Sequence, residues 1–302
     1  MVPEIFAPGI ISFGYHEHRM AISPDGREIY YTVFAEEGRR AMIMVSRMKD
    51  GIWTPPAVAS FSDFGMNLHP AFSSDGKRIL FTSTRPLNSE KPQKSGADIW
   101  FVEKRGDSWS LPANLGAAVN SEHNESSPIA ADDGTLFFES DRDSANNGWD
   151  IYFSRLSNGK YQDAKKLPSP VNTEHEEGGP CVSRDGSFLL FNSNRPGTLG
   201  EADIYAAFRK KDGTWAEPVN LGEKVNSKFY DWAPSITPDG KYMVFSSYRN
   251  IEPIVSQCPS YSQALQKDSG QPKPGFGTFY WVAVRGRYGH CHRANKKLRG
   301  IK

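Results

Sequence analysis

The chain is punctuated by five short apolar runs, each set directly behind an Asp-Gly pair. "AISPDGREIYYT" carries Asp25-Gly26 and "AFSSDGKRILFTSTR" Asp75-Gly76. "IAADDGTLFFESDR" carries Asp133-Gly134, "CVSRDGSFLLFNSNR" Asp185-Gly186 and "SITPDGKYMVFSSYR" Asp239-Gly240. In such a turn Asp bonds its own backbone, and Gly supplies the positive φ that closes the hairpin. The following runs, such as Ile79-Leu80-Phe81, Leu189-Leu190-Phe191 and Met243-Val244-Phe245, are apolar at consecutive positions. They predict strands buried on both faces. No stretch shows the period of an amphipathic helix.

A third strand follows each of three runs, as "ADIWFV", "WDIYFS" and "ADIYAA". A turn and an aromatic then open a fourth, at Trp53, Trp109, Tyr161 and Trp215. Successive turn Asp residues lie 50, 58, 52 and 54 positions apart. A period near 50 with four short strands per unit predicts one propeller blade per repeat. The expected fold is all-β, a five-bladed β-propeller of four-stranded antiparallel blades. Ring closure is assigned to the N-terminal "PEIFAPGIIS", which supplies the outer strand beside "GTFYWVAV"; the rival segment is "GRYGHCHRANKKL".

Composition changes this picture little. The formal net charge of the 302 residues is +1, which gives no field for nucleic acid. Seven Lys or Arg and no acid lie between Arg285 and Lys302, so the body is mildly acidic and the tail basic. Three Cys (Cys181, Cys258, Cys291) make no disulfide framework, and Cys181 reads as buried packing. No apolar run reaches the ~18 residues of a membrane span. The N-terminus has no signal-peptide layout; a cytoplasmic protein and one whose leader has been replaced by Met both fit.

The Pro-x-(Ile/Phe/Val)-Ser-x-Asp-Gly core, the Ser-x-Arg end of strand two and the Asp-Ile-Tyr/Trp of strand three resemble the TolB-type, WD-like β-propeller repeat family. The resemblance covers residues 3–285, with repeats at about 15–64, 65–122, 123–174, 175–228 and 229–285 and a basic tail over 286–302. Residues 250–276 are an insertion. The resemblance implies a periplasmic or secreted monomer that binds a polar small molecule, a glycan, a peptide or an envelope protein. The family also serves peptidase gates and some metal-dependent uronate lyases, so it fixes fold more tightly than function.

Candidate site residues come from aligning the units on the residue that opens the inner strand, Met20, Pro70, Pro128, Pro180 and Pro234. Three places earlier stand Glu17, Asn67, Glu125, Glu177 and Asp231. One place earlier stand Arg19, His69, Ser127, Gly179 and Ala233. His16, His18, His123 and His175 lie nearby. Repeat symmetry brings such columns to a ring at a channel mouth. Glu17, Glu125, Glu177 and Asp231 are therefore the candidate acid/base residues. His69, His123 and His175 are candidate ligands for a divalent metal (Ca, Mn or Zn), and Arg19, Arg249, Tyr230 and Trp232 candidate ligand contacts. A structural role, with the carboxylates accepting loop N–H bonds, is the competing reading.

Strand two ends in Arg85, Arg142, Arg195 and Arg249. The first three share their units with Asp98, Asp150 and Asp203, and unit one lacks both. That covariation predicts an Arg–Asp pair inside each of three blades and leaves Arg249 free for a ligand. There is no G-x-S-x-G elbow, P-loop or CxxC pair. Two functions remain open, a binding propeller and a small carbohydrate-active hydrolase or lyase.

Overall fold

The computed structural model describes residues 3–12, 16–35, 40–87, 96–143, 148–249 and 277–284. Every regular element among them is a β-strand, and the strands form a five-bladed propeller. Blade one runs outward through Glu17–Ile22, Glu28–Ala35 and Arg40–Lys49, edged by Ala57–Val58. Blade two is Asn67–Phe72, Arg78–Ser83, Asp98–Arg105 and Ala113–Asn114. Blade three is Glu125–Ala130, Leu136–Ser140, Asp150–Ser154 and Lys165–Lys166. Blade four is Glu177–Val182, Phe188–Ser193, Asp203–Phe208 and Val219–Asn220. Blade five is Asp231–Ile236, Tyr242–Ser247 and Thr278–Ala283, completed by Glu4–Ile5. The N-terminal segment thus closes the ring, with Glu4 opposite Trp281 and Ile5 opposite Tyr280. The rival closing segment, the 250–276 insertion, Tyr15, Cys258, Cys291 and the basic tail lie outside the described residues.

The turns behave as their composition dictates. Asp75 Oδ1 accepts from Ser73 Oγ at 2.7 Å and from Lys77 N at 2.9 Å, and Gly76 takes φ +70°. The strand behind each turn is buried on both sides: Leu189, Leu190 and Phe191 are 0%, 6% and 0% exposed. Phe81 and Ile79 pack on Ile43 and Val45 of the preceding blade, and Phe191 on Phe137 and Ile151. The fourth strands begin a few residues later than the aromatics suggest. Trp53 and Trp109 sit instead in short hairpins on the third strand.

The Arg column is braced differently from expectation. Arg142 Nη2 meets Glu125 Oε1 at 3.0 Å, Arg195 Nη2 meets Glu177 Oε1 at 3.1 Å, and Arg249 Nη2 meets Asp231 Oδ1 at 2.5 Å. In blade two the partner is Asn67 Oδ1, 2.8 Å from Arg85 Nη2. Each Arg also donates to a main-chain carbonyl before its own inner strand: Phe61, Val119, Val171 and Val225. The strand-three Asp residues have other partners. Asp98 takes Asn114 Nδ2 at 3.0 Å, Asp150 takes Lys166 Nζ at 2.6 Å and Asp203 takes Asn220 Nδ2 at 2.7 Å. Covariation misled because the inner-strand acid sits opposite the end of strand two. Glu125 faces Ser140 and Glu177 faces Ser193, two residues before the Arg, so the guanidinium folds back onto them.

A second feature recurs in all five inner strands. Each carries a bulge, located at His18/Met20, Leu68/Ala71, Ser126/Ile129, Gly178/Cys181 and Trp232/Ser235. The bulged residues Arg19, His69, Ser127, Gly179 and Ala233 all have positive φ, from 39° to 56°. A bulge takes one N–H out of the ladder, and that N–H needs an acceptor. The preceding blade supplies it. His69 N donates to Thr32 Oγ1 at 2.8 Å, Ser127 N to Thr82 Oγ1 at 3.2 Å, and Gly179 N to Glu139 Oε2 at 2.6 Å. Ala233 N reaches Asn192 Oδ1 at 3.5 Å. Thr32, Thr82, Glu139 and Asn192, with Ser246 donating its hydroxyl to the Glu17 carbonyl of blade one, are therefore a ring of polar residues inside otherwise apolar strands, stitching blade to blade around the channel.

Glu177→Ala is expected to destabilise the fold by ~3–5 kcal/mol, since it strands the largely buried Arg195 guanidinium. Asp203→Ala, which loses only two N–H donors, is expected to cost ~1–3 kcal/mol. Urea denaturation of the two variants beside the wild type checks the ranking.

Candidate functional site

The bulge aims two successive residues of each inner strand at the channel. His18 and Arg19, Leu68 and His69, Ser126 and Ser127, Gly178 and Gly179, and Trp232 and Ala233 all occupy these places. Arg19 crosses the axis: its Nη2 donates to the Pro180 carbonyl of blade four, not adjacent in the ring, at 2.6 Å. Only 1% of Arg19 is exposed, and the residues gathered around it at the strand-start end of the channel are the candidate site, called the cup below.

The cup wall between blades one and five is aromatic. His18 lies 4.8 Å from Trp232, 4.5 Å from His16 and 4.6 Å from Phe34, ring centroid to centroid. Tyr230 and Tyr248 flank Trp232 at 5.1 and 4.5 Å. Gly277 makes room for the indole, since a Cβ there would lie 2.6 Å from its Cη2. His16 Nε2 is 2.9 Å from the Tyr248 hydroxyl, and Trp232 Nε1 donates to His18 Nδ1 at 3.3 Å.

The opposite wall is polar. Glu139 Oε1 accepts from Ser127 Oγ at 2.9 Å, and Ser127 Oγ lies 3.0 Å from His69 Nδ1. The one Ser127 proton goes to Glu139, and His69 Nδ1 is shared between two hydroxyls, lying 3.0 Å from Ser126 Oγ as well. Gly178 and Gly179 leave space for this carboxylate and for Asn192: a Cβ on Gly178 would stand 2.5 Å from Glu139 Oε2. His69 stacks over His18 at 6.2 Å and lies within the field of Arg19.

Burial fixes the charge state of the rings. It lowers His16 to about 4 and, with the Arg19 charge adding to it, His69 to about 3. Burial first, then His16 and His69, holds His18 well below the usual histidine range. Burial and the Glu139 charge push Tyr230 up to about 12. At neutral pH the cup therefore presents uncharged imidazoles and phenols around one guanidinium and one carboxylate.

The residues singled out in the sequence divide accordingly. Arg19, His69, Tyr230 and Trp232 meet in the cup. Glu125, Glu177 and Asp231 do not; their carboxylates are wholly buried and spent on the blade braces and on loop donors such as Thr173 N and Oγ1. Glu17 holds the equivalent buried place in blade one. Arg249 is bound to Asp231 and so is not free at the rim. His123 is exposed, and His175, 3.7 Å from Glu174, stands apart from His69. Among the described residues no three His, Cys, Asp or Glu side chains gather as a metal set. His16, His18, Phe34, Ser126, Ser127, Glu139 and Tyr248 complete the cup without having been singled out for these roles. The usable signal is the polar residue behind the aromatic of each strand two, Tyr31, Phe81, Phe138, Phe191 or Phe245. A groove of about 370 Å³ between blades three and four, lined by Phe153, Arg209 and Trp215, lies at the opposite, Asp-Gly-turn end.

No family model matches the sequence, and no curated protein matches it. Solved structures do resemble it. A thermostable family-43 glycoside hydrolase aligns over 95% of this chain and 94% of its own, at 13% identity and TM-score 0.56. A putative TolB from Agrobacterium tumefaciens aligns over 89% and 91%, at 17% identity and TM-score 0.51. TolB from Acinetobacter baumannii aligns over 76% of this chain at 20% identity and TM-score 0.51, and the chain spans 48% of that protein. These likenesses show a propeller fold.

The depressed histidines make stability pH-dependent. In the unfolded chain they protonate below about pH 6.5; in the fold they resist until about 4 for His16 and 3 for His69. The unfolded state thus binds more protons in that window, and stability, full above pH 6.5, falls as pH drops through it. A profile of unfolding free energy against pH, from urea titrations, is expected to show this slope, shallower by up to ~1.4 kcal/mol per pH unit in His69→Gln.

Proposed function

We propose that the chain is a binding propeller that takes a polar, hydroxyl-bearing ligand, such as a glycan or a peptide side chain, in the cup. The observation that carries this reading is the wall of Tyr230, Trp232 and Tyr248 packed against His16 and His18 at the channel mouth. Aromatic faces cover the C–H face of a sugar or an apolar stem, while neutral imidazoles and hydroxyls serve its polar edges. The carboxylates first considered for acid/base work are committed to the blades, which favours binding over catalysis. In the TolB-type reading the protein is a periplasmic or secreted monomer, and a protein of the cell envelope is an alternative partner.

A second reading, a carbohydrate-active hydrolase or lyase, draws on the Glu139–Ser127–His69 chain and on the glycoside hydrolases of similar fold. There Glu139 replaces the buried carboxylates as the acid/base candidate, while no three ligands among the described residues gather for a metal. Turnover of nitrophenyl glycosides and uronate oligomers, with and without added Mn²⁺, Ca²⁺ or Zn²⁺, and its loss in Glu139→Gln, would support it.

Indole fluorescence should report ligand binding, since Trp232 is in the wall. On a glycan and peptide panel, Trp232→Ala is expected to weaken every ligand that perturbs the wild-type spectrum by about thirtyfold, ~2 kcal/mol, with the fold retained by circular dichroism. Unchanged affinity in that variant would refute the cup as the site.

A further inference from the structure

Among the described residues, two buried donors in the channel have no acceptor. Arg19 forms a single side-chain hydrogen bond, Nη2 to the Pro180 carbonyl, and its Nη1 is buried without a partner. His18 is the other. The indole N–H of Trp232 can only donate, so His18 Nδ1 accepts and the ring proton sits on Nε2. That Nε2–H is also buried with no partner.

The Arg19 charge is not balanced locally either. No carboxylate among the described residues forms an ion pair with it. Burial lowers its pKa, and only the Cys181 thiol and Glu139 favour its charge. Both Glu139 oxygens are engaged, one by Ser127 Oγ at 2.9 Å and one by Gly179 N at 2.6 Å. Burial pushes the Cys181 thiol up, so it stays neutral. A guanidinium taken out of water without an anion is costly, and folds rarely keep one for packing alone.

Nor does the repeat demand these residues. At the place of Arg19 the other blades carry His69, Ser127, Gly179 and Ala233, and at that of His18 they carry Leu68, Ser126, Gly178 and Trp232. Blade one alone carries a cation and an imidazole at these two successive places.

We infer that the ligand of the cup carries a carboxylate, and that this group docks on Arg19 and the Nε2–H of His18. The inference rests on the cup being the ligand site. A carboxylate has two oxygens for two donors, one of them charged, and it neutralises the guanidinium. The hydroxylated remainder of the ligand then lies toward Trp232 and Tyr248. Docking draws the Arg19 head from the Pro180 carbonyl toward the ligand, because Nη1 is sealed from solvent.

The experiment uses the full chain, with Arg19→Met, Arg19→Lys and Trp232→Ala. Without ligand, Arg19→Met is expected to melt at or above the wild-type temperature, because it removes an unbalanced buried charge. Calorimetric titration then compares gluconate with glucitol and glucuronate with glucose, pairs that differ in the carboxylate. The wild type is expected to favour the acid of at least one pair by about tenfold or more; Arg19→Met loses that preference and Arg19→Lys keeps part of it. A melting temperature several degrees lower in Arg19→Met makes Arg19 a structural plug and overturns the inference. So does equal behaviour of acid and neutral members toward the wild type. If neutral ligands bind equally well and Trp232→Ala abolishes their binding, the cup stands and only the carboxylate assignment falls.

Discussion

An unpaired backbone N–H decides the shape of this channel. Every inner strand bulges, and every bulge sets free a donor that cannot be left dry inside a propeller. The neighbouring blade answers with a polar side chain in the middle of its buried second strand: Thr32, Thr82 or Glu139 within 3.2 Å, and Asn192 at 3.5 Å. The same bulge turns two side chains per blade toward the axis. Scaffold and site are thus products of one device. Four bulged residues are not glycine yet hold positive φ, a strain of order 1 kcal/mol each that the stitching offsets.

The braces act one layer further out. The Glu125–Arg142, Glu177–Arg195 and Asp231–Arg249 pairs tie the start of strand one to the end of strand two and to the loop before it. Each guanidinium also lies over two rings of its blade, as Arg195 does over Phe191 and Tyr205 at 5.1 Å from each. Blade two substitutes Asn67 for the acid, and blade one replaces the Ser and Arg with Val33 and Ala35. Blade one is also where Arg19, His16 and His18 stand. The unit that departs furthest from the repeat contributes more of the cup than any other blade.

The propeller was legible because its signals are local. The Asp-Gly turn, the doubly buried run and the N-terminal closing strand each follow from composition over a few residues. The cup was half legible. Repeat symmetry brings the acidic column and the column of His69 and Arg19 to rings about one axis alike, and it does not say which of the two faces the channel. The bulge breaks the alternation of the strand at the residue that matters, and nothing in a single unit announces it. Gly179 was a clue, since positive φ comes freely to glycine, but His69, Ser127, Arg19 and Ala233 at the same place hid it. Glu139 was passed over because it interrupts a run read only for its apolar residues.

The stitched ring can be tested without knowing any ligand. Native-state amide hydrogen exchange followed residue by residue should place the N–H groups of His69, Ser127 and Gly179 among the slowest in the protein, exchanging only with global unfolding. Ala233, whose contact with Asn192 is the longest at 3.5 Å, should exchange faster than those three. Exchange of the His69, Ser127 and Gly179 amides at loop rates, while the strands on either side stay protected, would contradict the account.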